Sequence, residues 1–373
     1  MSAIYIHIPI CKSKCGYCDF YSEVADIVDP QLIDCIKLEI ETRAQQKEWF
    51  SDVTTIYFGG GTPSVLSVHQ IKELLLCLHD NFIVSKNAEI TMEVNPDDLS
   101  QSYLTELMIA GVNRLSIGLQ SIDNSLLAQM NRRHNADQAI DSLQLARKAG
   151  FKNLSIDLIY GMTGLSITDW KNTLQTVLQY LPEHVSAYHL SFETGTPFFK
   201  LREIGRMSEI DDAESAKQYE LLIQQTDIAG YEHYEISNFA LPQYRSKHNQ
   251  KYWHGEKYLG FGPAAHSYNG NNRYWNISNN QQYIKSIKGN EPWFESEQLT
   301  IKDKFNEYLM TRLRTVEGAD LDYINTNFGA SYYSQLLQQT KDIDLLKIHD
   351  NKLYTENKNW FISDAYISEL FIV

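Results

Sequence analysis

The chain lacks any long apolar run: nowhere in its 373 residues do roughly eighteen apolar residues follow one another, the length that a membrane-crossing helix needs. Its start, Met1-Ser2-Ala3-Ile4-Tyr5, has no basic stretch followed by an apolar segment, so no export signal is expected and the protein is predicted to be cytoplasmic. Cysteine is scarce and odd in number, at five. Without export, a disulfide framework is not expected, and clustered thiols point to metal. Basic residues are also short: the net charge is −14 and no run of Lys and Arg relieves it, which excludes nucleic acid and anionic membrane surfaces as expected partners.

A 43% hydrophobic content can bury a large core, with one big domain and a smaller one expected. Over residues 1–236, short β-branched runs alternate with helical patterns about six times. The strand candidates are Ile4–Ile8, Thr54–Phe58, Glu89–Val94, Arg114–Gly118, Leu154–Ile159 and Val185–Leu190, with Tyr231–Ile236 as a closing member. Helices are predicted near 31–48, 67–81, 100–110, 135–149, 167–180 and 209–229. Near-continuously apolar strands with helical crossovers predict a parallel sheet, and six repeats make an α/β fold of the partial (β/α)6 TIM-like barrel kind. Residues 237–300 lose the alternation and form a connecting segment; 11 of the 45 residues from 231 to 275 are aromatic, about twice the chain average of 12%. Residues 301–373 predict helices at Lys302–Arg314, 320–326 and 331–339, strands Asp344–Ile348 and Lys352–Thr355 about a His349-Asp350-Asn351 turn, and a last helix Ala365–Leu370. That is a small α+β winged-helix-like module, expected to pack or regulate rather than to bind DNA.

Three constellations carry chemistry. Cys11, Cys15 and Cys18 form a C-x-x-x-C-x-x-C triplet in the loop after the first strand. Four thiolates normally hold a [4Fe–4S] cluster, so three leave one iron open to a ligand. The alternative is zinc, for which only Asp19 or His7 stands nearby as a fourth ligand. Gly59-Gly60-Gly61-Thr62-Pro63 follows the second strand, where consecutive glycines permit positive φ and close approach to a ligand. Polar residues Glu93, Gln120, Asp157 and His189 end apolar runs at the rim where barrels place function, or else cap helices and satisfy loop backbone. Third, His248-Asn249-Gln250-Lys251-Tyr252-Trp253 sits in the aromatic-rich stretch. With His233, His254 and His266 nearby it offers a porphyrin flat faces and an axial nitrogen, or is a loop pinned by its aromatics.

Tyr5-Ile6-His7-Ile8-Pro9-Ile10-Cys11, the triplet with Tyr17 before its last Cys, and the GGGTP segment resemble the radical S-adenosylmethionine superfamily. The resemblance implies a cluster on Cys11, Cys15 and Cys18 whose free iron is chelated by S-adenosylmethionine, and a Gly60-Gly61-Thr62 loop that holds the methionine end of that cofactor. It further implies that Glu93 and Asp157 accept hydrogen bonds from its amino or ribose groups and that Gln120 and Arg132 contact its carboxylate and ribose. Arg132 is chosen over Arg133 by the family motif. Tyr5 and Tyr17 either offer flat surfaces beside the cluster or are core aromatics. The H-N-x-x-Y-W motif, with Tyr258–Ser267 as a covering segment, resembles the HemW-type heme chaperones, which implies heme contacts from His248, Asn249, Tyr252 and Trp253. By the same resemblance heme passes to client hemoproteins, including membrane-bound respiratory ones that would bring the protein to a membrane surface, and heme stabilises a homodimer. The related oxygen-independent coproporphyrinogen III oxidases, radical decarboxylases of porphyrin biosynthesis, carry a fourth cysteine where this sequence has Phe20, and an N-terminal arm where Cys11 stands ten residues from the start; both departures favour the chaperone. A radical enzyme acting on an unrelated small molecule is the third reading, because a barrel rim says little about substrate.

Overall fold

The computed structural model describes residues 2–46, 49 and 52–372. Six strands, β1 (Ser2–Ile8), β2 (Asp52–Gly60), β3 (Ile83–Val94), β4 (Arg114–Gln120), β5 (Leu154–Tyr160) and β6 (His184–His189), lie side by side in chain order and run parallel. Helices α1 (Pro30–Ala44), α2 (Val68–Asn81), α3 (Gln101–Ala110), α4 (Ala136–Ala149) and α5 (Ile167–Leu178) cross between them, and α6 (Asp212–Ile228) follows β6. This is the α/β, partial (β/α)6 arrangement that the alternation predicts. The helices begin where the sequence supplies caps: Ser67 and Asn135 close reciprocal boxes with Gln70 and Gln138, and Pro30 opens α1 behind the Asp29 carboxylate. The last two positions of the helix expected over 31–48 lie outside the described residues.

The strands depart from the expectation of near-continuous apolar runs. Tyr57, Thr91, Arg114 and Thr55, Glu89 follow one another in register across β2, β3 and β4, and Ser116, Ser155, His184 and Asp157, Ser186 extend the pattern across β4, β5 and β6. Their sequence neighbours Ile56, Ile90, Met92, Leu115, Ile117, Ile156 and Val185 join Ile36, Leu74, Leu104, Leu143 and Leu174 of the helices in one hydrophobic core. The sheet is therefore two-faced, because helices cover only its outer side and the inner side faces across the curl.

Residues 237–300 continue this sheet. β8 (Asn238–Ala240) is antiparallel both to β6 and to β7 (Glu232–Glu235) and intervenes between them, so the expected closing strand lies at the edge and does not pair with β6. At the other edge β9 (Tyr258–Phe261) pairs in parallel with β1, and β10 (His266–Tyr268), β11 (Asn272–Asn276) and β12 (Phe294–Gln298) add an antiparallel meander, for twelve strands in all. Between β8 and β9 runs α7 (Lys247–Trp253), and α8 (Asn280–Gly289) precedes β12. The meander is tied to α1 through the fully buried Glu39. Its carboxylate accepts from Arg43 Nε (3.2 Å), Asn276 Nδ2 (2.8 Å), the Tyr283 hydroxyl (2.6 Å), Trp293 Nε1 (3.1 Å) and the Gly262 backbone (2.9 Å).

The C-terminal module has its own core, including Phe305, Leu309, Ile324, Leu336, Leu353 and Leu370. Helices α9 (Ile301–Arg312), α10 (Leu321–Phe328) and α11 (Ala330–Gln339) precede a hairpin, β14 (Leu346–His349) and β15 (Lys352–Thr355), to which β13 (Ala319–Asp320) adds a third strand. His349 pairs with Lys352, leaving the two-residue loop Asp350-Asn351 with both φ positive, the turn that matches strand twist.

Glu39→Ala would leave Arg43 buried without its partner. Such a loss costs about 3–5 kcal/mol, so the variant is expected to unfold at clearly lower urea concentration than wild type while Glu39→Gln loses less. Equal midpoints for wild type and Glu39→Ala would show that the α1–meander tie is not structural.

Candidate functional site

The polar inner face opens at the C-terminal ends of the strands into a cavity of about 460 Å³. Of the residues singled out from the sequence, Cys11, Cys15, Cys18, Tyr17, Gly60, Gly61, Thr62, Glu93, Gln120, Arg132, Asp157 and Asn249 line it. The cysteine loop is held by its neighbours. Gly16 N–H donates to Met130 O (3.0 Å), Phe198 N–H to Gly16 O (2.9 Å) and Asn131 Nδ2 to Lys14 O (2.8 Å), while Lys12 pairs with Asp98 (2.7 Å). A Cβ at Gly16 would stand 2.3 Å from the Phe198 ring, so only glycine lets that contact form.

The glycine segment supports this loop from below. Gly61 and Thr62 N–H donate to Ile8 O and Ile10 O (both 2.9 Å), and the Thr62 hydroxyl donates to Cys11 Sγ (3.4 Å). Gly60 has φ +112°, and a Cβ there would meet the His7 ring at 2.6 Å. Glycine is thus required first by the neighbouring chain, whatever a ligand adds. Arg132 donates to Asn95 Oδ1 (2.6 Å), Gly118 O (2.7 Å) and Cys15 Sγ (3.3 Å), leaving Nε without a partner, whereas Arg133 turns to Asp97 and Asp98. Gln120 ends β4 with φ +64°, in the left-handed region, beside a register shift between β4 and β5. Among the described residues no three His, Cys, Asp and Glu side chains converge as a site for a single metal ion. A zinc site needs all donors on one ion, whereas a cubane puts each thiolate on a different iron.

The family model for the radical SAM superfamily matches residues 5–177. Over 99% of this chain and 100% of the relative, the sequence is 33% identical to a Bacillus subtilis protein named heme chaperone HemW, and over 97% and 93% it is 33% identical to the Lactococcus lactis protein of that name. The chain belongs to the HemW family of radical SAM proteins. Its fold matches that of Escherichia coli coproporphyrinogen III oxidase (HemN), a radical SAM enzyme, with a TM-score of 0.83 at 23% identity, covering 99% of this chain and 90% of that one.

The H-N-x-x-Y-W segment lies on α7, and the structure distributes its residues. His248 is buried inside the curl, with Nδ1 on the Thr55 hydroxyl (2.9 Å) and Nε2 on the Tyr252 hydroxyl (3.0 Å), and with its backbone N–H donated to Glu89 (3.1 Å). In this structure neither of its ring nitrogens is open to an axial ligand role. Asn249 reaches the rim cavity, Tyr252 does not, and Trp253 is half-buried at the end of the helix. Tyr5 also stands apart from the cavity: its hydroxyl bonds His7 Nδ1 (3.0 Å) and its ring stacks on Tyr57, 6.1 Å away.

Sequence reading passed over Tyr57, Arg114, Ser116, Ser186 and Tyr188, all of which line the cavity. The available signal was period-two polarity within the strands. Ser116 donates to Asp157 (3.0 and 3.2 Å) and Tyr57 to Glu93 (2.9 Å). Burial pushes Glu93 up to about 7, with Asp157 adding to it, and pushes Asp157 up to about 6 against the opposing effects of Ser116 and Arg114. Burial likewise raises the Cys18 thiol to about 11, with Cys15 and Cys11 contributing.

A positively charged ligand favours ionised carboxyls, and the ionised fraction of this pair grows as pH rises through about 6 to 7. Affinity for S-adenosylmethionine is therefore expected to increase over that window and then level, with protons released on binding near its middle. Calorimetry in buffers of different ionisation enthalpy measures both; an affinity flat across the window would rule out contact between the cation and these carboxyls.

Proposed function

We propose that this protein is a heme chaperone that carries a [4Fe–4S] cluster and S-adenosylmethionine, binds heme and passes it to client hemoproteins. The observation that carries the reading is the full-length likeness to proteins named heme chaperone HemW. The rim geometry supports its cofactor half. Three thiols on one pinned loop suit a cluster with an open iron, and Thr62 and Arg132 donate to two of the sulfurs. Bound there, the cluster supplies one-electron reduction of a sulfonium. Around it in the same cavity, Gly60 to Thr62 would hold the methionine end of S-adenosylmethionine and Gln120 and Arg132 its carboxylate and ribose, with Glu93 and Asp157 accepting from its amino or ribose hydroxyl groups. Tyr17, edge-on to Phe198, closes the cavity beside the cysteines.

For heme, α7 supplies the contacts, with His248 as the post that fixes the Tyr252 ring and Trp253 alongside. No helix among the described residues is long and apolar enough to cross a membrane, so membrane-bound clients would be met at the surface. Cytoplasmic residence and a heme-stabilised dimer are part of the same proposal.

The decarboxylase alternative shares the fold and is separated by chemistry. Anaerobically reconstituted protein should hold about four iron and four sulfide per chain, a content that Cys15→Ala loses. It should take up heme and yield it to an apo-hemoprotein, and should leave coproporphyrinogen III intact with S-adenosylmethionine and reductant present. Appearance of the decarboxylated porphyrinogen would replace the chaperone reading with the oxidase.

A further inference from the structure

A second cavity, of about 550 Å³, lies between the segment from α7 to β11 and helices α9 and α10 of the C-terminal module. Resting on the heme reading above, we propose that this cleft seats the tetrapyrrole and that the His254 imidazole is an axial ligand to its iron.

The walls suit a planar macrocycle. Tyr252, Tyr258 and Tyr268 line one side, and Tyr308, Tyr323 and Phe328 the other. Tyr308 and Tyr323 stack with centroids 4.8 Å apart and planes 20° from parallel, and Tyr252 meets Tyr258 edge-on at 4.7 Å. A pocket of this size that joins aromatic faces to charged side chains can take a flat, anionic cofactor.

The nitrogen is available in the form a metal needs. His254 ends α7, lines the cleft, and its ring makes no hydrogen bond among the described residues, in contrast to His248. Burial, helped by Arg312, lowers its pKa and so favours the neutral imidazole. The half-buried Met310 adds a thioether to the same lining.

The cleft lining carries two cations, Arg273 and Lys304, for the two propionate carboxylates. Arg273 is held by Glu307 (2.8 Å) and Lys304 by Asn271 Oδ1 (2.8 Å), so both would exchange a present partner for the ligand; Glu256 is neutralised by Lys251 (2.7 Å). Burial raises the Glu307 carboxyl, which lowers the cost of releasing Arg273.

The test uses full-length protein titrated anaerobically with ferric heme and read by visible spectra. Wild type should bind with a histidine-ligated spectrum, His254→Ala should weaken binding at least roughly tenfold or lose that signature, and His254→Met should shift the spectrum while binding persists. Thr311→Trp, which fills the cleft, should block uptake without touching the iron ligand. If wild type binds and both His254→Ala and Thr311→Trp match it in affinity and spectrum, the cleft is overturned and the chaperone reading stands; if wild type takes up no heme, that reading fails and the cleft assignment with it.

Discussion

Carboxylates inside a curled parallel sheet are unfavourable unless donors or cations meet them, and this constraint organises the interior of the protein. Glu93 and Asp157 are placed there by strand alternation, each one residue from an apolar neighbour that the outer helices bury. Tyr57 and Ser116 answer them with hydroxyls, and Arg114 supplies charge to both while keeping one buried N–H unpaired. Even so, burial raises both groups, Glu93 to about 7 and Asp157 to about 6. An interior balanced in this way has most to gain from a cation at its open end, which is where the cavity lies.

The cysteine loop meets that end with sulfurs already addressed by donors. Thr62 and Arg132 direct hydrogen atoms at Cys11 and Cys15 and so fix the orientation of both side chains. These two donors come from different βα loops, and each is itself fixed, Thr62 by the Ile10 carbonyl and Arg132 by Asn95 and Gly118. The loop therefore depends on three successive strand ends. The barrel rim acts as a frame that sets the thiols relative to the carboxylates, although no residue of the loop lies in a strand of the main sheet.

What the sequence disclosed follows from how local the physics is. The βα alternation, the triplet and the glycine segment are contiguous patterns, and strands, helices and loops appear at the expected places. The inward tier was hidden because Thr55, Thr91 and Ser155 are themselves compatible with strands and blend into β-branched runs. The meander was hidden because its strands are three to five residues long and they join β1 only through β9, across the whole barrel in sequence. Between Arg132 and Arg133 only the family motif chooses in the sequence; in the structure they take different partners, Asn95 and Gly118 for Arg132, Asp97 and Asp98 for Arg133. Cys35 and Cys77, the two cysteines outside the triplet, are buried on α1 and α2.

The H-N-x-x-Y-W motif shows why a contiguous signature need not be a contiguous surface. On a helix, residues four apart share a face and adjacent ones do not. His248 and Tyr252 accordingly bond to each other, and because His248 is also anchored to Thr55 and Glu89, that face belongs to the barrel interior. Asn249, one step on, turns to the rim cavity, while Tyr252 and His254 reach the aromatic cleft at the other end. Ser246, whose side chain caps the helix and whose backbone N–H donates to the Tyr234 hydroxyl, fixes the rotation of the segment. A seven-residue helix held at this many points cannot rotate to gather its polar residues on one ligand. The motif is thus better understood as a wall shared by two cavities, with the buried histidine as its anchor.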